Sequence, residues 1–443
     1  MPTIKQHRMR LAFLLVLGLL GTAAWMFLAN AAPCYERPST ETGVWIEGKG
    51  GNYTLYRNGQ PFLIKGASGH GHFRELAQAG GNTLRVYDTL ALGQQLDSAQ
   101  RYGLALIVDL SIPHSRFANF YEDEAKTGAL QDALLRTVRE HKDHPALLYW
   151  NLGNEVDFPL EPGNRAFYTF YNSTLRQLKA LDTQHPFSTA MTTFQRRYLL
   201  AVNFRTRDLD MLGFNAFGQI KNLESRLENA AWFWRGPYLL TEWGVNGYWE
   251  NGFSSWRAPL ELTSAYKIFQ VSEQYQQAMP HGNPRFLGSC FFYWGSHHEY
   301  TPTWFGVFDQ SGSATPLYAT LAALWQGEQV PLPPLPIEGV SVNGQYPNAD
   351  AFATPGQEMR AELTFYQPQD STLSISWELR PEDWYSGHWP YGPENGAVFS
   401  LERNVPTIRF VAPTVEGPYR LYAKVTDAQG VVSTASSPFY LVH

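Results

Sequence analysis

The chain has 443 residues, 44% apolar and 17% charged, with a formal net charge of −6. That length exceeds one ordinary domain and fits a barrel plus a smaller module around a large buried core. The negative balance, with no long basic run, argues against nucleic acid as a partner.

At the N-terminus, Lys5, Arg8 and Arg10 precede an apolar run from Leu11 to Leu28, and Ala29-Asn30-Ala31 has the small-x-small pattern of a cleavage site. Residues 1–32 read either as a signal peptide or as an uncleaved membrane anchor, with residues 11–28 as the tether. Both readings export the remainder, to the periplasm or the cell exterior. Cys34 and Cys290 are the two cysteines. One adjoins the cleavage site and the other sits in an apolar strand, so no disulfide is expected between them. Ala-Ala-Pro before Cys34 is a poor lipoprotein box.

From about residue 60 to 328, strand-like and helix-like runs alternate. The strands read as Pro61–Ala67, Asn82–Asp88, Leu104–Leu110, Ala146–Leu152, Phe187–Met191, Leu209–Phe214, Tyr238–Thr241 and Phe286–Tyr293. Between them lie helical faces such as Leu92, Leu96 and Ala99, or Leu130, Leu134 and Val138. Continuous apolar runs such as LALIVDL belong in a parallel sheet covered on both sides. With no dinucleotide fingerprint or P-loop, the expectation is an α/β fold, a (β/α)8 TIM barrel over 45–328. Residues 329–337, containing PLPPLP, read as a stiff linker. Short alternating runs punctuated by turn residues then predict an immunoglobulin-like β-sandwich over 338–443. Its Trp384–Tyr391 segment, rich in aromatics, reads as a domain contact or a carbohydrate platform.

Barrel active sites lie at the C-terminal strand ends, so polar residues there matter most. Strand four ends in Trp150-Asn151-Leu152-Gly153-Asn154-Glu155, and strand seven in Thr241-Glu242-Trp243-Gly244. Two carboxylates thus enter one mouth from different strands. Glycosidic cleavage needs such a pair, one to protonate the leaving oxygen and one to attack or stabilise the anomeric carbon.

His144-Pro145, Trp150 and Gly153-Asn154-Glu155 resemble the HP…W…GNE segment of clan A retaining glycoside hydrolases, in particular the family 2 barrel domain. Thr241-Glu242-Trp243-Gly244 resembles that clan's nucleophile strand. Tyr56–Gly66 and Asn82–Tyr87 also resemble fungal β-1,3-glucanosyltransferases. The resemblance implies Glu155 as acid/base and Glu242 as nucleophile, with Asn154 on the sugar 2-hydroxyl and Arg85 keeping Glu242 ionised. It also implies Trp294 as a sugar platform. His114, Asn215, Trp243, His297 and Trp304 complete the expected substrate-binding set. At Phe217 the chain departs from the clan, many of whose members carry a tyrosine that touches the nucleophile.

The expected activity is therefore that of a glycosidase on β-linked glucan or a related polysaccharide, with no cofactor. The closely spaced His297, His298 and Glu299 have no matching cluster elsewhere, so no metal site is expected. A β-glucan transglycosylase would use the same residues. A non-catalytic carbohydrate-binding or envelope-assembly protein is the alternative from another class. Oligomeric state stays open.

Overall fold

The computed structural model describes residues 13–18, 21, 33–38, 43–161, 163–192, 194–206, 208–232, 234–332, 335–367, 373–382 and 399–443. Most of the N-terminal apolar run and the whole Trp384–Tyr391 segment lie outside them. Among the described residues no helix is long and apolar enough to cross a membrane.

Eight parallel strands close into a barrel: Ile64–Gly69, Thr83–Val86, Ala105–Leu110, Leu147–Asn154, Phe187–Thr192, Leu212–Asn215, Tyr238–Gly244 and Phe286–Trp294. A helix follows each strand, from Phe73–Gln78 after the first to Pro316–Gln326 after the eighth. All eight strands expected from the sequence are present, with shifted ends. In Ala105–Leu110 the alternation is explicit. Leu106, Val108 and Leu110 pack outward in the main core, while Ala105 and Ile107 pack inside the barrel. That places Asp109, buried in the same strand, on the inward side.

One element was not foreseen. Val44–Lys49 and Asn52–Arg57 form an antiparallel hairpin. Val44, Ile46, Tyr53 and Leu55 pack with Ile107, Met211, Leu239 and Leu287, so the hairpin covers the interior layer formed by those strands. With that end filled, side chains at the C-terminal ends of the strands form the open mouth.

The C-terminal region is a sandwich of two sheets. One has three strands, in the order Ile337–Val342, Glu358–Phe365, Thr407–Val411. The other has five, in the order Ala351–Ala353, Val432–Leu441, Gly417–Thr426, Ser374–Pro381, Phe399–Arg403. Their shared core includes Trp377, Leu421, Val425 and Phe439. The sandwich is tied to the barrel through buried polar contacts. Arg420 donates to the Pro259 carbonyl at 2.6 Å, and the Thr434 amide to Ser264 Oγ at 2.8 Å.

Candidate active site

Backbone irregularity aims both glutamates. Gly153 has a φ of 85°, and a Cβ there would lie 2.6 Å from Val156 Cγ2 and 3.0 Å from Ile112 Cγ1. Glycine alone meets both demands. Glu155 follows at φ 53°, a left-handed conformation that costs a side-chain-bearing residue about 1–3 kcal/mol and concentrates at functional sites. The register between strands four and five also slips between Asn151 and Asn154. Strand seven slips against strand six between Leu240 and Glu242. Such slips re-aim side chains, here toward the mouth.

Arg85, with no exposed surface, organises the centre. Its Nε and Nη2 bond the two Asp109 oxygens at 3.0 and 2.6 Å. Nη1 donates to Glu242 Oε1 at 2.9 Å, and Nη2 donates to Asn154 Oδ1 at 2.7 Å. The Tyr87 hydroxyl donates to the same Glu242 oxygen at 2.9 Å. Across the mouth, Asn215 Nδ2 donates to Glu155 Oε1 at 2.9 Å and to Asn154 Oδ1 at 3.3 Å. The Thr241 hydroxyl, donating to Asn215 Oδ1 at 2.8 Å, fixes that amide's orientation. Gly213 makes room, since a Cβ there would fall 2.5 Å from Thr241 Cγ2. One unbroken network therefore joins Glu242 to Glu155.

Arg85 is expected to keep Glu242 ionised, but burial outweighs it and pushes Glu242 up to about 8; Arg85 opposes the rise and ionised Glu155 adds to it. Glu155 is also raised by burial, against the Asn215 hydrogen bond. Burial thus disfavours the charged form of both carboxylates. Their hydrogen-bond partners differ. Glu242 accepts from a guanidinium and a phenol, which favour its anion, while Glu155 accepts from a neutral amide. Burial also raises the Tyr87 phenol well above its usual range, so it stays a donor.

The expected site residues divide into three groups. Asn154 is exposed at the end of strand four, and His114 and His297 are half-buried in the segments after strands three and eight. His114 Nε2 lies 3.3 Å from Asp157, and His297 Nε2 lies 3.0 Å from Glu299. Arg85 and Asn215 are buried and position other groups rather than meeting solvent. The three tryptophans correct the expectation. Trp243, Trp294 and Trp304 are each 0% exposed, so a sugar in the mouth cannot stack on them. Trp294 packs against Phe308, Tyr318 and Trp325 on the helix side. Trp243 packs on Tyr275 and Phe291, one residue past Glu242 and on the opposite side of the strand. Trp304 donates from Nε1 to the Asn246 carbonyl at 2.9 Å, inside a loop contact. The strand-eight aromatic facing the mouth is Tyr293, stacked between Tyr87 and His297, with its hydroxyl 2.7 Å from His70 Nδ1.

Sequence reading missed Tyr87, Asp109, Thr241 and Asn151, whose Nδ2 donates to Asp109 Oδ1 at 3.0 Å. A lone carboxylate in an apolar strand at an inward position was the available signal for Asp109. Phe217 packs edge-on against Phe292 at 5.6 Å. A hydroxyl reaches Glu242 from Tyr87 instead, one residue past the end of strand two. No group of three or more residues suited to hold a metal occurs among the described residues.

No protein-family model matches the chain. Over 126 residues, 24% of this chain, it is 28% identical to a β-galactosidase from Enterobacter cloacae, 12% of which is covered. Its fold is similar to that of Bacteroides uniformis β-glucuronidase 2 covalently bound to cyclophellitol-6-carboxylate aziridine. That similarity has a TM-score of 0.50 and 14% identity, and covers 90% of this chain and 48% of the other. The endo-β-1,4-mannanase of Thermotoga petrophila aligns more loosely, with a TM-score of 0.42 and 13% identity over 87% of this chain and 99% of the other. The chain thus spans about half the length of the glucuronidase and 12% of the galactosidase. The neighbours are glycosidases, in keeping with the resemblance of the two Glu motifs to clan A glycoside hydrolases.

Proposed function

We propose that the protein is a retaining glycosidase that cleaves a β-linked glucan or related polysaccharide by double displacement. The observation that carries this reading is the hydrogen-bonded path from Glu242 through Arg85, Asn154 and Asn215 to Glu155. Glu242, which accepts from the Arg85 guanidinium and the Tyr87 hydroxyl, attacks the anomeric carbon in its ionised form. Glu155, with one neutral donor, protonates the leaving oxygen. A covalent glycosyl-enzyme results, and Glu155 then deprotonates the water that releases it. Asn154, gripped through Oδ1, donates its amide to the sugar 2-hydroxyl, a bond that strengthens in the transition state. The β-linkage rests on the motif resemblance and on the partial match to a β-galactosidase. The basic and apolar N-terminus supports action outside the cytoplasm.

Incubation with a panel of β-linked oligosaccharides, followed by proton NMR, tests the reading. The first-formed product should be the β-anomer; an α-anomer would mean inversion and overturn it. Azide rescue separates the roles with an activated β-glycoside. Glu242→Gly should yield the α-glycosyl azide and Glu155→Ala the β-glycosyl azide. Swapped stereochemistry would reverse the assignment.

A further inference from the structure

The displaced tryptophans leave open what the flat face of a sugar would meet beyond the reacting unit. The short helical turn Tyr248–Glu250, just after the Glu242 strand, carries Trp249, whose side chain is 48% exposed. Solvent exposure of a large ring usually comes with mobility, yet this ring is braced on several sides. It lies over Gly247, where a Cβ would come within 2.3 Å of Trp249 Cζ2. Its edges meet Phe217 at 5.6 Å and Tyr248 at 4.7 Å, both nearly perpendicular.

The loop beneath is tied as firmly. Glu250 Oε2 accepts from the Gly218 amide at 2.8 Å and the Gly247 amide at 3.1 Å. The Asn246 amide donates to Gln270 Oε1 at 2.8 Å, and the Asn246 carbonyl accepts from Trp304. A contiguous set of rings runs from this tryptophan to the nucleophile position. Phe217 touches Phe292, Phe292 meets Tyr87 edge-on at 6.3 Å, and Tyr87 bonds Glu242. Tyr248 is packed on Tyr300 at 3.9 Å and lies within electrostatic reach of Glu155.

We propose that Trp249 is a sugar-stacking platform for a pyranose unit flanking the one cleaved, making the site one for oligomeric rather than monomeric substrates. This rests on the glycosidase reading above. An aromatic face already fixed by Gly247, Phe217 and Tyr248 binds the apolar face of a pyranose with little ordering cost, so its exposure is put to use. Phe217 takes on a role here that a hydrogen-bonding tyrosine at that position would not need, as a support for the platform.

The test compares chain lengths. Trp249→Ala should lower kcat/KM for a β-linked pentasaccharide or hexasaccharide about tenfold. Turnover of an aryl β-monoglycoside should stay within about twofold of the parent, and Trp249→Tyr should recover most of the loss. Calorimetric binding of the same oligosaccharides to Glu242→Gln protein should weaken by a like factor when Trp249→Ala is added. Equal losses on short and long substrates, or no loss on either, would overturn the platform. So would unchanged oligosaccharide binding in the double variant. If the parent enzyme turned over none of these compounds, yet bound them more tightly with length through Trp249, the reaction assignment would fall and the platform would stand.

Discussion

Two arginines without exposed surface organise this molecule, and they differ in what their carboxylates face. Arg85 holds Asp109 and Glu242 at the barrel mouth. Arg420 holds Glu382 at the junction of barrel and sandwich, bonded also to Ser436 at 3.1 Å and to the Pro259 carbonyl. Near it, Glu261 is closed in by Lys267 at 2.6 Å and by the Thr303 hydroxyl at 2.8 Å. Burial would raise Glu261, but Lys267 and Arg420 together hold it below its usual range. At the mouth no lysine among the described residues joins Arg85 against Glu242, which is left raised to about 8 with Glu155 as neighbour. At the junction, then, Glu261 is compensated by two cations, while Glu382, with Arg420 alone, is raised by burial as Glu242 is. A second cation is what separates a lowered carboxylate from a raised one.

The largest expected break is Glu242→Gln. Activity should drop by about 10⁴-fold or more, the scale on which loss of a nucleophile acts. Its effect on stability should have the opposite sign. Glu242 is raised from near 4.5 to about 8, so the stability linked to its proton is present in full at low pH and is lost as pH rises through about 8. Thermal melts should therefore show the variant gaining on the parent between pH 5 and 9, and matching it near pH 4. A variant less stable at pH 9 would contradict the raised value.

Exchanging the arginines sharpens the comparison. Arg85→Met strands two buried carboxylates and should cost about 3–5 kcal/mol in denaturant unfolding, with activity per folded molecule down about 10³-fold. Arg420→Met should cost a similar amount of stability and leave activity per folded molecule within about twofold. A large loss of kcat in soluble, folded Arg420→Met protein would mean that the junction also shapes the mouth.

The smallest effect concerns Tyr87→Phe, which removes one hydrogen bond to a charged group, about 1.5–3 kcal/mol. The expected loss in kcat/KM is about 10–100-fold, with the fold intact. Full activity would show that Arg85 alone suffices to orient Glu242.

Much of this was legible without coordinates. Parallel strands covered on both sides tend to near-continuous apolar runs, and eight strand-like runs alternating with helical ones could be read from the sequence pattern. Glu155 and Glu242 stood out because a charged residue directly after such a run has the mouth as its natural destination. The hairpin Val44–Arg57 was not read as strands, because its role comes from packing against Ile107 and Met211, residues far along the chain. Side-chain facing was also hidden. Trp294 and Tyr293 are adjacent, and a register slip in strand eight between Phe292 and Trp294 accompanies the burial of one and the stacking of the other on His297. Tyr87, just past strand two, reaches Glu242 on strand seven only because barrel closure brings those two strand ends together. Sequence determined the barrel and its two carboxylates, since both follow from local hydrophobic pattern. Tertiary structure alone decided which arginine meets the two mouth carboxylates and which meets the barrel–sandwich junction. Arg85 and Arg420 occupy alike positions in apolar strands, and only the groups brought to them from distant elements tell them apart.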